Sequence, residues 1–247
     1  MTQPRREFLG LRFDPLPLDA ALAAIAARPA GNGFAYVVTP NVDHVVRLER
    51  RPDLRPLYDR ALLCLCDSRI LGALACHYGV DLPLAPGSDL TARIFADVLR
   101  EGDRIAIVGG EGDLVARLGA LHPGLDIRQH RPPMGLARDA AALADAARFV
   151  AEARARFTFL AVGSPQQELL ALAIADRGDA TGIGLCIGAS IDFLLGDRRR
   201  APRWVQRAGL EWAHRLSGEP RRLARRYLVE GPRIFLIARR WARRRPA

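Results

Sequence analysis

A chain of 247 residues, about half of them apolar, can bury the core of one large domain and is too apolar to stay disordered. Its formal charge of +10 is unevenly placed: residues 198–247 hold sixteen arginines against three acids, while residues 1–197 are close to neutral. That balance excludes an acidic solvating tail and points to an anionic partner, either a membrane surface or nucleic acid.

The predicted elements repeat one rhythm: a short apolar run, a turn, then a helical pattern. "FAYVVT" (34–39) leads through "PN" into "VDHVVRLER". "ALLCLC" (61–66) leads through "DSR" into "ILGALACHYG", and "RIAIVGG" (104–110) through "EGD" into "LVARLGAL". A weaker strand at "DIRQH" (126–130) is followed by "RPPMG" and an alanine-rich helix reaching about Ala155. "FTFLAVG" (157–163) leads through "SP" into "QQELLALAIA", and "GIGLCIG" (182–188) ends in "ASID". Strands alternating with helices predict a Rossmann-like three-layer α/β/α core with a mostly parallel sheet. The change of charge and rhythm at "GDRRRAPRW" divides this core, residues 1–197, from a basic helical appendage, residues 198–247.

Ligands of such sheets bind at the carboxyl ends of the strands. Thr39, Asn41, Asp67, Gly109, Gly110, Ser164, Gln167, Ser190 and Asp192 all fall there. Any one of them also suits a helix N-cap. Asp67 in particular reads equally well as a cap or as a general base tuned by its neighbours. "VGGEGD" departs from GxGxxG, so it signals a phosphate only weakly and fits a dinucleotide enzyme poorly. No GxxxxGK[ST], no G-x-S-x-G and no Asp-x-Asp occurs, and the five histidines show no ligand spacing, so no metal is expected. Cys64, Cys66, Cys76 and Cys186 make no CxxC or Cys/His pairing and read as free thiols of a reducing compartment. Neither a signal peptide nor an apolar span of ~20 residues is present.

The segments "TPNVDHVVRL", "LLCLCDSRIL", "PGSDL", "IAIVGGEGD", "FLAVGSPQQE" and "GASIDFLLGDRRRAPRWVQRAGLEWAHRLSGEPRR" resemble the WecG/TagA/CpsF glycosyltransferases in order and spacing, from about Phe34 to Arg226. The resemblance implies an inverting, metal-independent enzyme without a cofactor. Its donor would be a UDP-sugar carrying N-acetylmannosamine, its uronic acid, glucose or a similar residue. Its acceptor would be a polyprenyl-diphosphate-linked saccharide on the cytoplasmic face of the plasma membrane, for exopolysaccharide or another surface polymer. The family's catalytic aspartate falls on Asp67, its threonine and asparagine on Thr39 and Asn41, and its glutamine on Gln167. Gly109, Gly110, Gly163, Ser164, Gly188, Ser190 and Asp192 align with segments near the nucleotide.

Two positions depart from the family pattern. Ser68 stands where glycine often follows the aspartate, and Leu84 stands where many members carry an arginine. The diphosphate must then meet another cation: Arg69, or tail arginines such as Arg215, Arg221, Arg222 and Arg225. The tail aromatics raise nucleic acid as a rival partner. Their helical spacing, with Trp204, Ala208, Trp212 and Leu216 as one stripe and Ile234, Ile237 and Trp241 as another, fits a peripheral amphipathic anchor instead. The expectation is therefore an anionic membrane surface and no nucleic acid. The first stripe also suits packing on the core, and an exposed apolar tail suits a second copy of the chain as well as lipid.

Overall fold

The computed structural model describes residues 3–197, 201–202, 205 and 210–244. Its centre is a six-stranded parallel sheet in the order β4-β3-β8-β7-β5-β6. The strands are β3 (Ala35–Val38), β4 (Leu63–Cys64), β5 (Arg104–Gly109), β6 (Asp126–His130), β7 (Phe157–Ala161) and β8 (Ile183–Cys186). All six strands legible in the sequence are present. Alternation along them feeds two cores. Tyr36, Val38, Val108 and Leu160 face one, while Val37, Ile107, Phe159 and Leu185 face the other. Strands covered on both faces need apolar residues on both, which is why they read as continuous apolar runs.

Helices α2 (Val42–Arg50), α3 (Pro56–Asp59), α4 (Arg69–His77), α7 (Ala140–Ala153) and α8 (Gln166–Arg177) contribute to the first core. Helices α1 (Leu18–Ala26), α5 (Gly87–Arg93), α6 (Leu114–Leu121) and α9 (Ser190–Leu194) contribute to the second. The arrangement is the expected three-layer α/β/α fold. An antiparallel hairpin, β1 (Arg6–Phe8) and β2 (Leu11–Phe13), precedes it and was not legible in the sequence. Phe8, Leu11 and Phe13 of that hairpin are fully buried in the first core.

The C-terminal region adds α10 (Glu211–Gly218), α11 (Pro220–Ala224), a π-helical turn at Arg225–Glu230 and α12 (Arg233–Arg244). Here the expectation for the second apolar stripe is corrected. Ile234, Ile237 and Ala238 are buried in the first core, and Trp241 packs edge-on against Phe8 at 4.9 Å and donates from Nε1 to Glu7 at 3.0 Å. Arg240 pairs with Glu49 at 2.9 Å. The stripe fits protein because α2 and the hairpin offer it an apolar surface. The residues left outward are Leu228, Val229, Phe235 and Leu236, each more than half exposed. Of the first stripe, Trp204 and Ala208 lie outside the described residues, whereas Trp212 meets Tyr227 edge-on at 6.3 Å.

Candidate active site

At the exit of β4 the chain leaves Asp67 half-buried on the rim of the sheet. Its Oδ1 accepts from the Gly87 backbone N–H at 2.9 Å, and its Oδ2 accepts from Asn41 Nδ2 at 3.3 Å. The cap of α4 is the next residue: Ser68 Oγ accepts from the Leu71 N–H at 3.3 Å. The serine that departs from the family pattern therefore takes the capping role, and the Asp67 carboxylate is turned away from its own helix. Gly87 must be glycine, because a Cβ there would lie 2.7 Å from Thr39 Oγ1. This close approach joins Thr39, Gly87 and Asp67 in one corner.

Asn41 caps α2 with Oδ1, which accepts from the Asp43 N–H at 3.1 Å, while its Nδ2 reaches Asp67. One side chain thus serves as both helix cap and site residue. On the same helix, Arg47 donates to Ser164 Oγ at 2.6 Å and to Asp43 at 2.8 Å. From the β7 side, Gln167 Oε1 accepts from the Gly188 N–H at 2.9 Å, holding the loop after β8 where Gly188 takes φ +54°. Gln167 Nε2 donates to Glu168 at 2.9 Å, and Glu168 is also 3.5 Å from His44 Nε2. Burial works against the Glu168 charge, but the contacts with His44 and Gln167 outweigh it and hold the carboxyl below its usual range.

Two adjoining cavities open over this rim. One, of about 500 Å³, is lined by Thr39, Arg47, Ser164, Gln167, Gly188 and Ser190 among others. The other, of about 410 Å³, has apolar walls from Val46, Ile70, Trp212, Leu228 and Phe235. Asn41, Asp43, Asp67, Arg226 and Tyr227 border both. The Arg226 guanidinium lies 5.7 Å from the centre of the Tyr227 ring and 3.2 Å from Asp43. Asp43 therefore holds two cations, Arg47 and Arg226, at the edge of the larger cavity.

The structure brings Thr39, Asn41, Asp67, Gly163, Ser164, Gln167, Gly188 and Ser190 to the larger cavity, and Arg69 to the apolar-walled one. Gly109 and Gly110 stand at the end of β5, on the far side of β7, and line neither cavity. Asp192, on α9, lines neither as well. Arg221 and Arg225 are exposed and line neither, although Arg225 lies 3.5 Å from Glu230, which lines the apolar-walled cavity. The side chains of Arg215 and Arg222 lie outside the described residues. Leu84 packs on Gly72 in the first core.

Sequence reasoning did not single out Arg47, His44, Glu168, Gly87 or Arg226. One signal was available: in "VDHVVRLER", His44 and Leu48 share a helical face, so His44 falls in the buried phase of α2.

Burial pushes the Cys66 thiol up to about 12 and raises Cys64 and Cys186 as well, so these buried thiols are unreactive. Among the described residues no group of three His, Cys, Asp or Glu side chains forms a metal site. The arrangement offers a carboxylate for proton removal, amide donors beside it, and two guanidiniums for an anion.

The family model for the Glycosyl transferase WecG/TagA/CpsF family matches residues 6–247. The chain belongs to this family. A WecG/TagA/CpsF protein is a glycosyltransferase of cell-surface polysaccharide synthesis, with a nucleotide-sugar donor and a lipid-linked acceptor in general terms. In this WecG/TagA/CpsF member no helix among the described residues is long and apolar enough to cross a membrane.

Proposed function

We propose that this glycosyltransferase moves a sugar from a UDP-sugar to a polyprenyl-diphosphate-linked saccharide, with inversion, without a metal ion, at the cytoplasmic face of the plasma membrane. The observation that carries the reading is the position of Asp67, on the border between a polar cavity and an apolar-walled one. A nucleotide sugar suits the polar cavity, which the Gly188 loop, Ser164, Gln167 and two guanidiniums line. The acceptor enters from the apolar-walled cavity, so its hydroxyl meets the Asp67 carboxylate.

Asp67 takes the hydroxyl proton as the oxygen attacks the anomeric carbon from the face opposite the diphosphate. The glycosidic bond to the diphosphate breaks, and UDP leaves with that electron pair. Arg47 and Arg226 neutralise the charge that develops on it. Guanidiniums match phosphate oxygens in geometry, and preorganised cations stabilise a leaving group strongly in a site shielded from water. The family position now occupied by Leu84 therefore needs no cation of its own.

Residues 198–247 act in this reading as a basic appendage that closes the site and meets the membrane. Leu228, Val229, Phe235 and Leu236 are exposed near the apolar-walled cavity, which Leu228 and Phe235 also line. Apolar side chains flanked by arginines suit the interface of an anionic bilayer.

The test is a screen of UDP-sugars with a short-chain polyprenyl-diphosphate-saccharide acceptor, following released UDP. Acceptor-dependent UDP release by the wild type is the expected result. Turnover with a different nucleotide sugar, or with no lipid-linked acceptor required, would overturn this assignment of donor or acceptor.

A further inference from the structure

Glu168 lies in the first turn of α8 and is 1% exposed. A helix N-terminus favours a carboxylate, but an exposed one suffices for that. Removing the charge from water costs several kcal/mol, and pairing offsets the cost only when both oxygens find partners. Here Oε2 has no hydrogen-bond partner among the described residues. The carboxylate is thus kept charged in the interior by its contacts with His44 and Gln167 rather than by exposure. It lines neither cavity, so it does not touch a substrate itself.

What it does touch leads in two directions. Toward the donor side, Glu168 Oε1 accepts from Gln167 Nε2 at 2.9 Å, which leaves Gln167 Oε1 pointing at the Gly188 N–H, 2.9 Å away. An unanchored amide can exchange its oxygen and nitrogen by a half-turn, and the Gly188 contact needs the oxygen. Toward Asp67, Glu168 Oε1 lies 3.5 Å from His44 Nε2, whose N–H faces the carboxylate. The opposite ring nitrogen, Nδ1, sits 2.9 Å from Asn41 Oδ1, an oxygen that can only accept, so Nδ1 donates to it. With the ring held, Asn41 keeps Nδ2 on Asp67.

We propose that Glu168 is the positioning residue of this site, with His44 as its intermediary, setting both the Asn41–Asp67 and the Gln167–Gly188 contacts. A single buried carboxylate thereby links the group that removes a proton to the loop on the donor side. The geometric part stands on these contacts alone, and its effect on turnover rests on the transfer reaction proposed above.

Glu168→Gln keeps the shape and removes the charge. In ¹⁵N-labelled protein, the side-chain amide signals of both Gln167 and Asn41 should move, assigned by their disappearance in Gln167→Ala and Asn41→Ala. His44→Gln should move the Asn41 signal and leave that of Gln167 in place. Glu168→Gln should lower Tm modestly at neutral pH, because a carboxyl held below its usual range contributes stability there as the charged form. Its kcat for UDP release should fall about tenfold to a hundredfold, and KM for the UDP-sugar should rise too, because the Gly188 loop lines the donor cavity.

An Asn41 signal indifferent to Glu168→Gln, or wild-type kcat in that variant, overturns the proposal. If Glu168→Gln does not fold, His44→Gln decides: both amide signals moving, or neither, overturns it as well. The amide signals read the linkage even in a protein that transfers no sugar. Failure of the relay is thus distinguished from failure of the transfer assignment, which would show as a wild type inactive on UDP-sugars.

Discussion

The two sides of the Asp67 cleft are built differently. On the sheet side, Thr39, Asn41, Gln167 and Gly188 sit just beyond the ends of paired strands, and side-chain hydrogen bonds of 2.9 and 3.3 Å tie Gln167 to Gly188 and Asn41 to Asp67. On the C-terminal side, Arg226, Tyr227, Leu228 and Phe235 come from short helices docked through an apolar stripe and a few ion pairs with α2. The sheet side suits chemistry, where a misplaced donor is costly, and the helical side suits a bulky, partly apolar ligand. The lesson is that precision and accommodation are assigned to different parts of one site.

Substitutions can break or sharpen that contrast. The largest effect belongs to the sheet side: Asp67→Asn should lower kcat by about a thousandfold while Tm stays near wild type, measured by UDP release and thermal melting. A variant with near wild-type turnover would remove Asp67 as base. Next come the two cations that Asp43 holds. Arg47→Ala and Arg226→Ala should each lower kcat/KM by about a hundredfold, and inorganic pyrophosphate should protect the wild type against heat better than either variant. If Arg226→Ala were silent and Arg47→Ala severe, the helical side would lose its share in the chemistry.

A stability measurement separates docking from catalysis. Ile234→Ala removes a buried branch from the α12 stripe and should cost about 3 kcal/mol in denaturant unfolding. The exposed pair Phe235→Ser and Leu236→Ser should leave stability nearly unchanged but weaken co-sedimentation with anionic vesicles. Full vesicle binding by that double variant would show that these side chains are not the lipid contact. Smallest of all, Ser68→Ala should cost about 1 kcal/mol through loss of the α4 cap, without the collapse of kcat expected for Asp67→Asn.

The strands were legible because a strand buried on both faces leaves an uninterrupted apolar run, as in "FTFLAVG". The hairpin was not: "REFLGLRF" gives two three-residue strands, too short for any period to show. Thr39, Asn41, Asp67 and Gln167 could be named because strand-to-turn junctions fall at the ligand-binding rim of a parallel sheet. Which of two adjacent residues caps a helix was not legible, and Ser68 rather than Asp67 does so. Arg47 and Glu168 carry no mark in the sequence that sets them apart from other helical charges. Their aim comes from contacts between α2 and the start of α8, Arg47 with Ser164 and His44 with Glu168, which no local pattern encodes. Likewise, nothing in "RRLARRYL" distinguishes Arg226 from Arg225; the turn of the helix decides which one faces the site.

The bond from Trp241 to Glu7 spans 234 positions in sequence. During synthesis the parallel sheet can assemble as its strands emerge, but α12 cannot dock until residues through 241 have been added. Arg226 and the apolar wall of the cleft are accordingly among the last parts of the molecule to form. A partly synthesised chain would present an ordered sheet rim without the helices that complete the cleft, and ribosome-bound intermediates of this protein should be folded in the centre yet inert toward their substrates.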